Sequence, residues 1–367
     1  MGTTRTDIYT RQQKDLATML KALGHPARIA ILQYIISQQA CICNHLVNEI
    51  GLAQPTISQH LKELKNAGII KGNVEGTRIC YCIDEKVWNR IKKLLEVFMQ
   101  TNEQKKENVR QKYSEIALQH SVGNMASCCG QGCCSPGVHN IMSEEYDKLQ
   151  GYNKEADLRL GCGLPTQFAK IKKGDTVVDL GSGAGNDCFV ARAETGENGK
   201  VIGIDFTEAM IRKARENAVK MDYHNVEFRY GDIEKIPITD NVADVVVSNC
   251  VMNLVPDKQK AFGEVHRILK PGGHFSISDI VLTGELPEKI MNAAEMYAGC
   301  VAGALQKDTY LNIIREAGFT NITLQKEKTI IIPDGLLSNY LDEDEINTYK
   351  AHPYIIYSIT VYAEKPL

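Results

Sequence analysis

The stretch DTVVDLGSGAGNDCFVARA, residues 175–193, decides the fold of the larger part of this chain. Thr176 to Leu180 is a short apolar run of the kind that forms a strand covered on both faces. Gly181, Gly183 and Gly185 follow at alternate positions, where the missing side chains let backbone approach a ligand closely, and a helical pattern begins after them. A second strand ends on Asp205, an acidic residue able to accept both hydroxyls of a ribose. From Gly174 onward strand and helix alternate regularly, which predicts a parallel sheet with helices on both faces.

A Gly-x-Gly turn by itself also fits nicotinamide nucleotides, and three details favour S-adenosylmethionine instead. The third glycine arrives one residue early, with Asn186 at the later site. Asp179 precedes the loop, where a cationic sulfonium and amino group suit it better than a pyrophosphate does. Further on, YGDIEKIPI (residues 230–238) brings Asp232 to a strand end for the adenine edge, and ILKPGGHFSISDI (residues 268–280) follows a helix into a late strand. Together these motifs resemble class I methyltransferases over Leu164 to Ile280. The resemblance implies an α/β, Rossmann-like doubly wound sheet. It places S-adenosylmethionine against Asp179, Gly181, Gly183, Gly185, Asp205, Phe206, Asp232, Ile233 and Asn249.

Twelve cysteines are a high number for a chain whose first residues lack an apolar export core. No stretch approaches the roughly 18 uncharged apolar residues that a spanning helix needs. A cytoplasmic protein is expected, with thiols serving as metal ligands or redox groups. Cys162, Cys250 and Cys300 stand in LGCGLP, VVSNCVMNLVPDK and GCVAGAL. These segments resemble the arsenite methyltransferase family, over a region from about Tyr113 to near Phe319, and carry its three inner thiols onto those residues. The chemistry agrees. Cys250 follows a strand at its carboxyl end, where open α/β sheets bind ligands. Three sulfurs around trivalent arsenic leave one lone pair to attack a methyl carbon. Two thiols can then restore trivalent arsenic by forming a disulfide, so turnover calls for thioredoxin or glutathione. Cys188, inside a helix, reads as a buried hydrophobe.

The charge is uneven, with a formal net of −3 overall but 13 Lys and Arg against 7 Asp and Glu in residues 1–95. A basic end on an acidic body fits nucleic-acid contact at one end. The pattern from Asp15 to Met99 predicts four short helices, a two-stranded ribbon over Ile69–Asn73 and Thr77–Ile83, and a long helix. In the fourth helix Ile57, Leu61 and Leu64 share one stripe, with Ser58, Gln59 and Lys62 opposite. This is a winged helix-turn-helix, whose bland alternative is a small amphipathic helical domain with a solvated polar face. Thr56, Ser58, Gln59, His60, Lys62 and Arg78 are the candidate DNA contacts.

LGHPARIAIL (23–32), CICNHL (41–46) and QPTISQHLKELKNAGII (54–70) resemble the ArsR-type metalloregulatory repressors. The resemblance implies a homodimer that pairs through its first and last helices and leaves operator DNA when arsenite binds at Cys41 and Cys43. Residues two apart on a regular helix point about 200° apart, so both thiolates reach one ion only at a distorted helix start. Cys80 and Cys82, on one face of the wing strand, are candidates for a third sulfur, or one of them is core.

Between the modules, QTNEQKKENVRQKYS (residues 100–114) reads as the exposed end of the long helix passing into a connector. SCCGQGCCSPG (residues 127–137) then places Cys128, Cys129, Cys133 and Cys134 in a loop, for arsenic capture and relay or for zinc. The expected domains are 1–100 winged helix, 101–150 linker, 151–282 methyltransferase core and 283–367 substrate-binding cap. Two other readings compete. A quinone-type carbon methyltransferase gives the cysteine contexts no role. A repressor whose C-terminal half only binds ligand would have broken cofactor residues, yet Asp179, Gly181, Gly183, Asp205 and Asp232 are all present.

Overall fold

The computed structural model describes residues 9, 11–38, 41–42, 46–75, 78–99, 101–118, 146–284, 286, 301–351 and 355–367. The chain forms two compact units, Met1–Thr101 and Asn102–Leu367.

In the first unit, α1 (Arg11–Leu23) stops at Gly24 and α2 (Pro26–Gln38) starts at Pro26, whose missing N–H costs nothing in a first turn. α3 (Leu46–Ile50) and α4 (Gln54–Asn66) follow, then the hairpin β1 (Ile70–Glu75) and β2 (Arg78–Ile83), then α5 (Glu85–Met99). Gly68, at φ +72°, turns the chain out of α4 in the left-handed conformation that a side chain disfavours. Asp84 starts α5 by accepting hydrogen bonds from the amides of Lys86 and Val87. One core of Ile31, Leu32, Ile35, Ile57, Leu61, Leu64, Ile69 and Ile91 joins these elements.

The segment before α3 departs from expectation. Cys41 and Ile42 are not at a distorted helix start. Ile42 is extended and pairs antiparallel with Tyr81 of β2, and Cys41 is disulfide-bonded to Cys82. Cys43 lies outside the described residues.

The second unit opens with α6 (Asn102–Leu118), which corrects the reading of residues 100–114 as an exposed helix end and connector. This helix packs against α9 (Glu208–Lys220), and its Lys106 is buried, donating at 2.7 Å to both Asp232 and Glu234. This run of charged residues hides a lysine whose partners lie 126 and 128 residues away.

The sheet contains β3 (Thr176–Leu180), β4 (Lys200–Asp205), β5 (Val226–Tyr230), β6 (Ala243–Asn249), β7 (Leu269–Leu282), β8 (Leu305–Gln306), β9 (Thr320–Thr329) and β10 (Ile356–Glu364). Its order is β5-β4-β3-β6-β7-β10-β9, with β8 beside β7. The strands from β5 to β7 are parallel, while β10 runs antiparallel to both β7 and β9. Helices α7 (Pro165–Phe168), α8 (Asn186–Thr195), α10 (Lys258–Ile268), α11 (Lys307–Glu316), α12 (Asp334–Leu337) and α13 (Glu343–Ala351) complete the unit. Val177 and Val178, neighbours in β3, pack in separate apolar clusters, which is why that strand reads as a continuous apolar run. Residues 283–367, expected as a substrate-binding cap region, supply two long strands of the same sheet, β9 and β10. Among the described residues no helix is long and apolar enough to cross a membrane.

Candidate active site

β3 ends against a turn that only glycines make cheaply. Gly181 has φ +72°, and a Cβ there would lie 2.3 Å from the Val251 side chain. Gly183, at φ +52°, donates its amide to the Asp205 carboxylate at 3.0 Å, and the other oxygen of Asp205 accepts the Thr207 amide at 2.8 Å. Burial raises Asp205 above the ordinary carboxylate range while these amides hold it back. The cavity over this turn is lined by Gly181, Gly183, Asp205, Phe206, Ile233, Asn249 and Cys250, with Tyr113 of α6 and Arg159. Arg110 of α6 lies over the Phe206 ring at 5.5 Å. The bare glycine backbone and the carboxylate ending β4 fit a nucleoside such as that of S-adenosylmethionine.

Three residues expected at the cofactor do not line this cavity. Gly185 instead caps α8 at φ +99°. Asp232 is engaged by Lys106. Asp179 is buried and accepts a hydrogen bond from the Cys188 thiol at 3.3 Å; burial, then the nearby Asp187, push it well above the usual carboxylate range. Asp187, which sequence reasoning passed over, lines the cavity together with Asp205. It accepts from the Tyr146 hydroxyl at 2.8 Å and the Asn249 amide at 3.2 Å, and burial pushes it up to about 6. Its signal was available in the Asn186-Asp187-Cys188 run, but its partners were not.

At the carboxyl end of the sheet, the chain leaves β6 through Cys250, a non-glycine residue at φ +61° whose amide donates to Ser278 at 2.8 Å. The loop bearing Cys162 is pressed onto the same strand ends. Asn249 accepts the amides of Cys162 and Gly163, and the Ser358 hydroxyl of β10 donates to the Cys162 carbonyl at 2.6 Å. A Cβ at Gly161 would lie 2.5 Å from Asn249, and one at Gly163 2.5 Å from Ser278, so the glycines of LGCGLP let the loop lie this close.

The Sγ atoms of Cys162 and Cys250 and a carboxylate oxygen of Asp279 lie within 4.8 Å of one another, with all three residues buried. Asp279, on β7, was not among the expected site residues. Burial pushes it up to about 7, opposed by the Ile280 amide, the Lys258 ammonium and the Tyr310 hydroxyl that donates to it. The surroundings are apolar, with Ile280, Leu282, Val301, Ile330 and Ile332 in one cluster with both thiols. Cys300 lies outside the described residues, as do Cys128, Cys129, Cys133 and Cys134; Val301, the next residue after Cys300, is buried in this cluster.

In the first unit, Thr56, Ser58, Gln59 and Lys62 are exposed on α4. His60 is half-buried and stacks on His25 at 4.4 Å; burial and then His25 hold its pKa below the usual imidazole value. The Arg78 side chain lies outside the described atoms.

A parallel sheet with a glycine turn after its first strand, an acid after its second and a ligand cavity at the carboxyl ends defines a class I S-adenosylmethionine-dependent methyltransferase. A model described as a methyltransferase domain matches residues 171–318, and one for bacterial regulatory proteins of the arsR family matches residues 25–71. An arsenite methyltransferase of Halobacterium salinarum is 40% identical over 279 residues, covering 72% of this chain and 67% of that protein. One from Aquipseudomonas alcaligenes is 31% identical over 247 residues, covering 65% and 68%. The solved structure of CrArsM, an arsenic(III) S-adenosylmethionine methyltransferase from Chlamydomonas reinhardtii, is 33% identical, with a TM-score of 0.48 over 56% of this chain and 68% of that one. This chain belongs to the arsenite methyltransferases, and it carries an arsR-family helix-turn-helix ahead of the enzyme.

Proposed function

We propose that Cys162 and Cys250, joined by Cys300, hold trivalent arsenic at the carboxyl ends of β6 and β7 and expose its lone pair toward the cofactor cavity. The observation that carries this reading is the approach of two buried thiols from segments 88 residues apart to within 4.8 Å. Thiolates are the natural partners of a soft, thiophilic ion. The Asp279 oxygen beside them is a harder donor, which leaves the third valence to the Cys300 thiolate.

S-adenosylmethionine supplies an electrophilic methyl carbon on a departing sulfonium sulfur. The chain's contribution is orientation. Gly181 and Gly183 admit the backbone closely, Asp205 accepts the ribose hydroxyls, and Asn249 fixes the Cys162 loop against the strand end that carries Cys250. Arsenic donates its electron pair to carbon as the carbon–sulfur bond breaks, so no side chain has to remove a proton. Two thiolates then return two electrons to arsenic by forming a disulfide, which a thiol reductant such as thioredoxin or glutathione reopens.

Cys250→Ser or Cys162→Ser should eliminate methylated arsenic products while calorimetry still registers S-adenosylmethionine binding. Methylation retained in both variants would overturn the assignment.

The first unit we read as an operator-binding module, dimeric through α1 and α5, that contacts DNA through Thr56, Ser58, Gln59 and Lys62 and lets go when arsenite reaches its thiols. A cytoplasmic location follows from this reading. Binding of the full chain to DNA selected from a random pool should weaken with salt and be reversed by arsenite; binding indifferent to arsenite would remove the regulatory role.

A further inference from the structure

The thiols of the first unit are not arranged as the Cys-x-Cys spacing suggests. Cys41 is exposed beside the bridged Ile42, ahead of α3, and Cys82 lies half-buried on the wing strand β2. Their Cα atoms are 4.5 Å apart and their sulfurs are joined. The contact is enforced by backbone as well as by sulfur. The Ile42 amide donates to Tyr81 and the Tyr81 amide to Ile42, both at 2.9 Å, which sets the residues on either side of that bridge against each other. Ile42 is itself buried in the module's core, so the segment is anchored one residue from the sulfur. Cys80, two residues before Cys82 on the same strand, is fully buried and also held in a disulfide.

We propose that reduced Cys41 and Cys82 form a two-thiol site for a trivalent thiophilic metalloid, with the wing strand, not the neighbouring Cys43, providing the second sulfur. The proposal rests on the reading of this module as arsenic-responsive and names its ligands. Arsenous acid would exchange two hydroxyls for the two thiols, forming two arsenic–sulfur bonds and releasing two waters with no change of oxidation state. The disulfide cannot bind. It must first be opened by two equivalents of a thiol reductant, the same class of reagent that catalysis consumes. The backbone pairing is a single bridge, Ile42–Tyr81, and Cys41 is exposed, so the sulfurs can part enough to admit an ion. Such an ion would tie the lead-in to the helix-turn-helix to the wing, two parts of one DNA-reading surface.

Phenylarsine oxide, which takes two thiols and releases one water, is the probe. Full-length protein reduced with a phosphine would be treated with it, alkylated with iodoacetamide and mapped by peptide mass. Cys41 and Cys82 are expected to lose alkylation together. Cys41→Ser should restore alkylation at Cys82, and Cys43→Ser should not. Cys82 alkylated equally with and without the reagent in the unsubstituted protein, with Cys41 and Cys43 protected, would overturn the site without depending on any variant's folding. Protection of Cys82 alongside DNA binding indifferent to arsenite would keep the site and remove the regulatory reading. Release of DNA by arsenite with Cys82 unprotected would do the reverse.

Discussion

Gly181 and Asp187 show what a single position can and cannot disclose. The glycine was readable from sequence because its reason is local: a turn at φ +72° with no room for a Cβ beside Val251. Gly181→Ala should cost about 1–3 kcal/mol of stability and weaken S-adenosylmethionine binding, as denaturant melts and calorimetry would register. Asp187 was not readable. Its importance comes from Tyr146 and Asn249, 41 and 62 residues away, and from a burial that no spacing announces. Because its pKa is raised from the ordinary carboxylate value to about 6, the folded state holds that proton more tightly than the unfolded chain. The stability that this carboxyl contributes is therefore full below about pH 4 and is lost as pH rises through 6. Asp187→Asn should flatten the fall in melting temperature between pH 4 and pH 7; an unchanged slope would place the titration elsewhere. Asp279 escaped notice for the same reason: in the sequence it is one polar residue inside a late strand.

Elements were legible where their pattern was periodic and illegible where it was polar. The β3 turn, the β4 acid and the α4 stripe of Ile57, Leu61 and Leu64 all follow from local spacing. α6 does not, because its charged residues resemble a solvated connector. Lys106 nonetheless has a side chain only 11% exposed and bridges Asp232 to Glu234, which is itself buried. Removing one member of such a group leaves carboxylates without compensation, typically at a cost of about 3–5 kcal/mol. Lys106→Met should lower the unfolding free energy of the second unit, read from urea melts, by that scale, and Glu234→Gln added to it should recover part. Loss of α6 packing should also loosen S-adenosylmethionine, since Tyr113 lines the cavity and Arg110 covers Phe206.

On the scale of the chain, each unit has its own apolar core, with Ile31, Ile57 and Ile91 in the first and the two faces of the sheet in the second. The charge asymmetry marked this division in the sequence, and the units meet between Thr101 and Asn102. A chain beginning at Asn102 should therefore fold and methylate arsenite at a rate within a few-fold of the full protein, while losing affinity for DNA. Loss of methylation on that truncation would mean that the first unit contributes to chemistry.

Strand β10 has a consequence for how the protein comes into being. A ribosome releases residues in order, yet residues 356–364 slot between two earlier strands, β7 and β9, and bring the hydroxyl that fastens the Cys162 carbonyl. A nascent chain can assemble its nucleoside cradle, whose last lining residue is Leu254, about 5–20 seconds before that, at common translation speeds of about 5–20 residues per second. On the proposed role of Cys162, the arsenic site is finished only when this late insertion occurs, so unfinished copies emerge without a completed trap.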